Sequence, residues 1–166
     1  QELARKYLHC YGPSSISGVA DWLGCSTTQA ERIWNTVKDE LQPVSVFGRK
    51  RFILSRDKEM LMSSLQSERK VHLLAGHDPY LGLQDRDVIL DSKSRQKQIW
   101  QTVSNPGAVL WEGEVAGMWI GRKKGKTLDI EITIWDDIKV PQKNIQDLCD
   151  RYTLFQSLKL NKITFL

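Results

Sequence analysis

Ala20-Asp21-Trp22-Leu23-Gly24-Cys25-Ser26-Thr27-Thr28-Gln29-Ala30-Glu31-Arg32-Ile33-Trp34 decides how this chain is read. A small residue, Ala20, stands four before Gly24, and Ala30 and Ile33 follow on the inner face of the next segment. Two helices that cross closely need a small side chain at the contact. A tight turn between them needs a residue tolerant of positive φ, here Gly24. The stretch therefore predicts a helix-turn-helix. Ser26 is a good N-cap for its second helix, expected at about 27–40. That helix has a buried stripe of Ala30, Ile33, Trp34, Val37 and Leu41.

Upstream, residues 16–23 read as a short helix with Ile16, Val19, Ala20, Trp22 and Leu23 mostly facing inward. Residues 2–11 form another, with Leu3, Ala4, Tyr7, Leu8 and Tyr11 on one face and Gly12-Pro13 as its stop. Downstream, Val44 to Phe47 and Arg51 to Leu54 read as a β-hairpin with Gly48-Arg49-Lys50 at its tip. Three helices and a two-stranded wing make a winged helix. In the DNA-binding version the third helix enters the major groove and the wing touches the backbone. The solvent face of that helix carries Thr27, Thr28, Gln29, Arg32 and Asn35, with Lys38 at its end. Such side chains donate to phosphate or read base edges. Arg49, Lys50 and Arg51 of the wing are the matching phosphate contacts. Glu31, Asp39 and Glu40 repel phosphate, which keeps open a scaffold or protein-interaction role.

The pattern changes beyond a short helical stretch from Asp57 to about Leu65 and the polar run Gln66–Lys70. Val71 to Ala75 reads as a strand, and His77-Asp78-Pro79-Tyr80 as a turn whose Asp accepts backbone N–H bonds. A helix follows around 93–101. Ala108–Trp111 and Glu114–Gly121 flank Glu112-Gly113, a two-residue hairpin turn. Leu128, Ile130, Ile132 and Ile134 alternate with polar or aromatic residues, as in a half-buried strand. Residues 121–126 join these strands through a second basic tip: Arg122, Lys123, Lys124 and Lys126. Ile145, Leu148, Cys149, Tyr152, Phe155 and Leu158 mark a final amphipathic helix begun near Pro141. The expected fold class is α+β. It comprises a winged helix-turn-helix over 1–66, then a small antiparallel β-sheet or barrel over 67–166 closed by the C-terminal helix.

Composition narrows the classes. The 166 residues are 40% hydrophobic and 27% charged, as in an ordinary globular protein. No stretch approaches the roughly 20 apolar residues of a membrane helix. The 24 basic and 20 acidic residues leave a charge of +4, which mildly suits a polyanion. Cys10, Cys25 and Cys149 lack CxxC spacing, so they read as small hydrophobes in a reducing cytoplasm. His9, His72 and His77 have no ligand-like spacing, and neither metal nor cofactor is expected. His77 with Asp78, and Asp85 with Asp87 around Arg86, are candidate catalytic groups whose plainer reading is a turn and a local ion-pair knot. Gln1 in place of Met predicts a piece of a longer protein.

Two blocks carry a family resemblance. The first is Ala4-Arg5-Lys6-Tyr7-Leu8 into Tyr11-Gly12-Pro13, then Ala20-Asp21-Trp22-Leu23-Gly24. The second is Leu73-Leu74, Asp78-Pro79-Tyr80-Leu81, Arg86, Asn105-Pro106-Gly107 and Val115-Ala116-Gly117-Met118-Trp119. Together they resemble the winged-helix DNA-binding family that contains the AlkZ and YcaQ DNA glycosylases. The resemblance implies double-stranded DNA as partner and hydrolysis of the N-glycosidic bond of an alkylated purine. It also implies that this chain matches the C-terminal half of longer members. Their catalytic Gln-x-Gln or Gln-x-Asp would precede the part matching Gln1. Gln84-Asp85 is not that motif in position or context, so no catalytic residue is assigned. A monomer is favoured. A transcription regulator that dimerises, or a non-catalytic interaction module, is the alternative.

Overall fold

The computed structural model describes residues 1–63, 69–83, 85–135 and 137–166. Contacts divide the chain into two compact units, Gln1–Gln66 and Ser67–Leu166. The fold class is α+β.

The first unit holds three helices, α1 (Glu2–Tyr11), α2 (Ile16–Leu23) and α3 (Thr27–Asn35). A hairpin follows, β1 (Leu41–Val46) and β2 (Arg49–Leu54), and then a short α4 (Lys58–Met62). Gly24 ends α2 at φ 61°, the left-handed conformation that glycine adopts without steric penalty. Ala20 and Ala30 are both buried where α2 and α3 meet, so the small residues do sit at the contact. The core gathers Ala4, Tyr7, Leu8, Val19, Trp34, Val37 and Leu54 around them. Trp22 is 45% exposed, yet its ring stays within 5.1 Å of Tyr7 and 5.8 Å of Tyr11 between centroids. Ser14 exchanges two backbone hydrogen bonds with Phe52, at 2.9 and 2.8 Å, which ties the α1–α2 loop to β2.

Two expectations for this unit change. The helix predicted to reach residue 40 stops at Asn35, and Lys38–Glu40 form a separate 3-10 turn. The Thr36 hydroxyl donates to the Ile33 carbonyl at 2.7 Å, and Val37 leaves the helical region at φ −123° while remaining in the core. Leu41 consequently opens β1 rather than closing the helix stripe. In the hairpin, the turn is Phe47-Gly48, with φ of 48° and 74°. Positive φ at both central residues matches the twist of a two-residue hairpin. Arg49 and Lys50 are thereby strand residues beside the tip and not the tip itself.

The second unit is a five-stranded sheet in the order β3 (Val71–Leu74), β4 (Gly107–Trp111), β5 (Glu114–Lys124), β6 (Thr127–Ile134), β7 (Lys159–Phe165). Two short helices, α5 (Arg86–Ile89) and α6 (Lys93–Ile99), precede β4, and α7 (Gln142–Phe155) links β6 to β7. The sheet is not wholly antiparallel. β7 pairs with β6 in parallel, as a helical crossover on the same sheet permits. The chain therefore closes on an edge strand and not on a helix, and the sheet stays open among the described residues. The alternation of Leu160, Ile163 and Phe165 with polar neighbours, interrupted by a register shift, is too brief to announce a strand unaided. The basic tip also shrinks: Gly121 to Lys124 belong to β5, and only Gly125-Lys126 turn.

Both faces of the sheet are covered. Ile145, Cys149 and Thr153 of α7, spaced four apart, are buried, and the first two pack with Val109, Trp119, Leu128, Ile130 and Ile132. Burial pushes the Cys149 thiol up to about 11. The opposite face gathers Leu81, Ile89, Leu90, Ile99, Ala108, Leu110, Val115 and Trp135. Asp78 Oδ1 accepts from the Tyr80 backbone N–H at 2.9 Å, the expected turn geometry. Asp87 accepts from Lys93 Nζ and Gln96 Nε2, while the Arg86 guanidinium lies 4.9 Å from the Trp100 ring centroid. Asp87 thus reaches α6, and Arg86 reaches the residue that follows it. Gln84 lies outside the described residues, as do Leu65 and Gln66.

Two glycines let the strands approach a neighbour directly. A Cβ at Gly117 would stand 2.0 Å from the Thr133 carbonyl oxygen, and one at Gly107 would stand 2.1 Å from Trp119 Nε1. Gly117→Ala must displace backbone of the partner strand, so it should destabilise the second unit by at least the roughly 1–3 kcal/mol of an overpacked core. Urea unfolding followed by tryptophan fluorescence measures it. An unchanged midpoint would refute the close approach.

Candidate nucleic-acid interface

On the first unit, Thr27, Thr28, Gln29, Arg32 and Asn35 are all exposed along α3. They share the helix with Glu31, also exposed. Ser26 caps α3 with a full capping box. The Ser26 hydroxyl accepts from the Gln29 N–H at 3.3 Å, and Gln29 Oε1 accepts from the Ser26 N–H at 3.1 Å. Gln29 is therefore partly committed to holding the helix start, and its Nε2 is what remains to face a ligand. Lys38 sits on the 3-10 turn beyond the helix. Glu40, expected to repel phosphate, is gripped by Arg5 through Nε at 2.9 and 3.1 Å and Nη2 at 2.8 Å. This fork lowers the Glu40 carboxyl below its ordinary value and raises Arg5, the hydrogen bond being the main cause for each. A paired carboxylate opposes a nearby phosphate less than a free one.

Arg49 and Lys50 are exposed on β2, and Arg51 is half-buried with Nη1 donating to the Lys50 carbonyl at 3.0 Å. The Lys50 ammonium lies 5.3 Å from the Phe52 ring centroid. Phe47 at the turn is 74% exposed.

On the second unit the four basic residues of β5 and its turn are not equivalent. Side chains alternate faces along a strand. Arg122 and Lys124 fall on one face, where β6 presents carboxylates. Arg122 donates to Glu131 through Nε and Nη2 at 3.3 and 3.2 Å, and Lys124 pairs with Asp129 at 2.9 Å. Asn161 of β7 also donates to Asp129, at 2.6 Å. Lys123 points to the other face, and Lys126 stands in the turn. Among the described residues neither forms an ion pair. The sequence reading missed two more cations. Lys159 and Lys162 are exposed on β7, and the Lys159 N–H donates to the Lys126 carbonyl at 3.0 Å, placing it beside the turn. Their signal was a Lys-x-x-Lys spacing in a segment not read as a strand.

Among the described residues, no group of three or more His, Cys, Asp or Glu gathers as a metal site would, and no helix is long and apolar enough to cross a membrane. What the exposed side chains offer is a set of hydrogen-bond donors and cations suited to phosphate.

The family described as DNA glycosylase AlkZ-like matches residues 1–152. That span is most of the sequence, and the chain belongs to the AlkZ-like family of DNA glycosylases. An interstrand DNA cross-link repair glycosylase of Streptomyces sahachiroi is 31% identical over 121 residues, covering 69% of this chain and 32% of that protein. A solved chain of Streptomyces sahachiroi DNA glycosylase AlkZ has the same fold, with a TM-score of 0.75 at 23% identity over 99% of this chain. The chain spans about a third of the curated relative, 32%, and 45% of the solved one.

The charge lattice on β5 and β6 has a pH signature. Asp129 is held below the ordinary aspartate value, first by Asn161, then by Lys124. A carboxyl depressed in the folded state stabilises it above the unfolded value and loses that contribution as pH falls through the folded one. The carboxyl ¹³C resonance of Asp129 should therefore titrate at lower pH than that of a peptide aspartate, and Asn161→Ala should move it up. An unshifted midpoint in the unaltered protein contradicts the pairing.

Proposed function

We propose that this chain is the DNA-gripping part of an AlkZ-like DNA glycosylase. In this reading residues 1–66 form a winged helix-turn-helix, and residues 67–166 form a second DNA-facing domain. Thr27, Thr28, Arg32 and Asn35 line one groove contact, with the Gln29 amide nitrogen beside them. Arg49, Lys50 and Arg51 of the wing meet phosphates. At the second hairpin the phosphate contacts are Lys126 and, beside it, Lys159. Arg122 and Lys124 hold the strand pair in shape and contribute less net charge. The partner is double-stranded DNA.

The observation that carries the reading is the uneven pairing of the β5–β6 cations. A lattice that pairs Arg122 and Lys124 with carboxylates yet leaves Lys126 without one among the described residues concentrates positive charge at the turn. Phosphate neutralisation by such groups releases counterions and supplies most sequence-independent affinity. The longer protein would hydrolyse the N-glycosidic bond of an alkylated purine, an N7-alkylguanine or a crosslink built on one. Such a base already carries positive charge, so preorganised polar groups can stabilise departure without a strong acid. No residue of this chain is assigned that step.

The test is duplex binding against salt concentration. The logarithm of affinity should fall by roughly 0.9 per phosphate contact for each tenfold rise in salt. Lys126→Glu and Lys159→Glu should each weaken binding and make the slope shallower by about 1, with the ranking of duplex sequences unchanged. No duplex affinity even at low salt overturns the proposal. A symmetric dimer on one discrete operator would instead favour a regulator.

A further inference from the structure

The α7 face of the second unit holds a cleft of about 430 Å³, within the roughly 300–1,000 Å³ of small-molecule sites. Trp119 and Tyr152 form its aromatic wall, with ring centroids 5.2 Å apart at 75°. Gln101, Asn105 and Gln156 add amides to the lining, and Lys123 is its one charged group, with no carboxylate among the described lining residues.

Three features show a formed site. The Trp119 indole is fixed by its Nε1 donating to the Leu74 carbonyl at 2.8 Å. The loop carrying Asn105 rests on Gly76, where a Cβ would stand 2.4 Å from the Asn105 carbonyl oxygen. Asn105 Oδ1 accepts from the Gln101 N–H at 2.8 Å, which leaves Nδ2 as its donor for a ligand. Strand alternation sends Lys123 here, away from the carboxylates that occupy Arg122 and Lys124. Two aromatic rings set edge to face, amide groups and an ammonium without a carboxylate among the described residues suit a flat heterocycle bearing an anionic group.

We propose that this cleft binds one unpaired nucleotide of a DNA strand, its base against the half-buried Tyr152 ring, which the buried Trp119 backs, and its phosphate on Lys123. This rests on the reading of the chain as a DNA-gripping domain and adds a second mode of contact to it. Duplex phosphates would meet the turn, while an extruded or single-stranded nucleotide would enter the cleft. Stacking on an aromatic surface tolerates any base, so the site would discriminate paired from unpaired strands rather than sequence.

The experiment titrates the 166-residue chain with a tetrathymidylate and with the same tetranucleotide lacking all bases, following the Trp119 indole N–H by NMR. The tetrathymidylate should shift that resonance and bind at least tenfold tighter than its abasic counterpart. Lys123→Gln should weaken it at least fivefold, and Lys143→Gln, an exposed change elsewhere on α7, by less than twofold. Gly121→Leu should abolish it by filling the cleft. A Cβ there would meet Trp119 Cζ3 at 3.4 Å and Leu128 Cδ1 at 3.5 Å, ordinary contacts. Should Gly121→Leu fail to fold, the abasic comparison and Lys123→Gln decide. Equal affinity for the abasic strand, or an unaltered affinity in Lys123→Gln, overturns the proposal. Duplex affinity retained with no tetrathymidylate binding overturns the cleft alone; the reverse result overturns the gripping role alone.

Discussion

One indole staples three strands. Trp119 on β5 lies across Gly107 of β4 and donates to the Leu74 carbonyl on β3. The arrangement requires glycine at 107, because any Cβ there would collide with the indole nitrogen. It also holds the indole where the Tyr152 ring of α7 meets it edge-on, a favourable aromatic geometry. The helix, the sheet and the cleft between them share this single fixed side chain. The Gly-x-Trp run at 117–119 is thereby explained twice over: Gly117 admits the β6 backbone, and Trp119 spans the strands on its other side.

Strand alternation sorts the charge. Four basic residues lie close together in sequence between 122 and 126, and a run of that kind reads as one patch. The sheet divides it. Arg122 and Lys124 meet Glu131 and Asp129 diagonally across β5 and β6, the geometry in which opposite charges support a sheet. These pairs are exposed and worth little individually to stability. Their larger effect is on where positive potential remains, at Lys126 and Lys159 by the turn and at Lys123 in the cleft. In the first unit Arg5 does a similar service for Glu40, quenching an acid that the sequence left as a repulsive neighbour of α3.

The first unit was legible because its signals are local. Gly24 in a turn, Ser26 as a cap and small residues at 20 and 30 act within one or two helical turns. They are the same whatever the rest of the chain does. The end of α3 was not legible, since Val37 fits a helical stripe as well as it fits the core at φ −123°. The β1–β2 hairpin was read as a hairpin, with its turn placed one or two residues late. Gly48 is a turn residue in both readings, but only the observed pairing of Val46 with Arg49 shows that Phe47 turns with it.

By itself, the sequence determined the α+β class, the helix-turn-helix spacing, the Glu112-Gly113 hairpin and the residues that carry positive charge. Each follows from backbone preference or side-chain period over a few neighbours. Tertiary structure alone decided that β7 joins the sheet in parallel, since that depends on an α7 crossover that brings Lys159 beside Thr127. It also decided which cations are paired with carboxylates among the described residues. Charge is a property of a residue, but its pairing depends on the register of strands that meet only after folding.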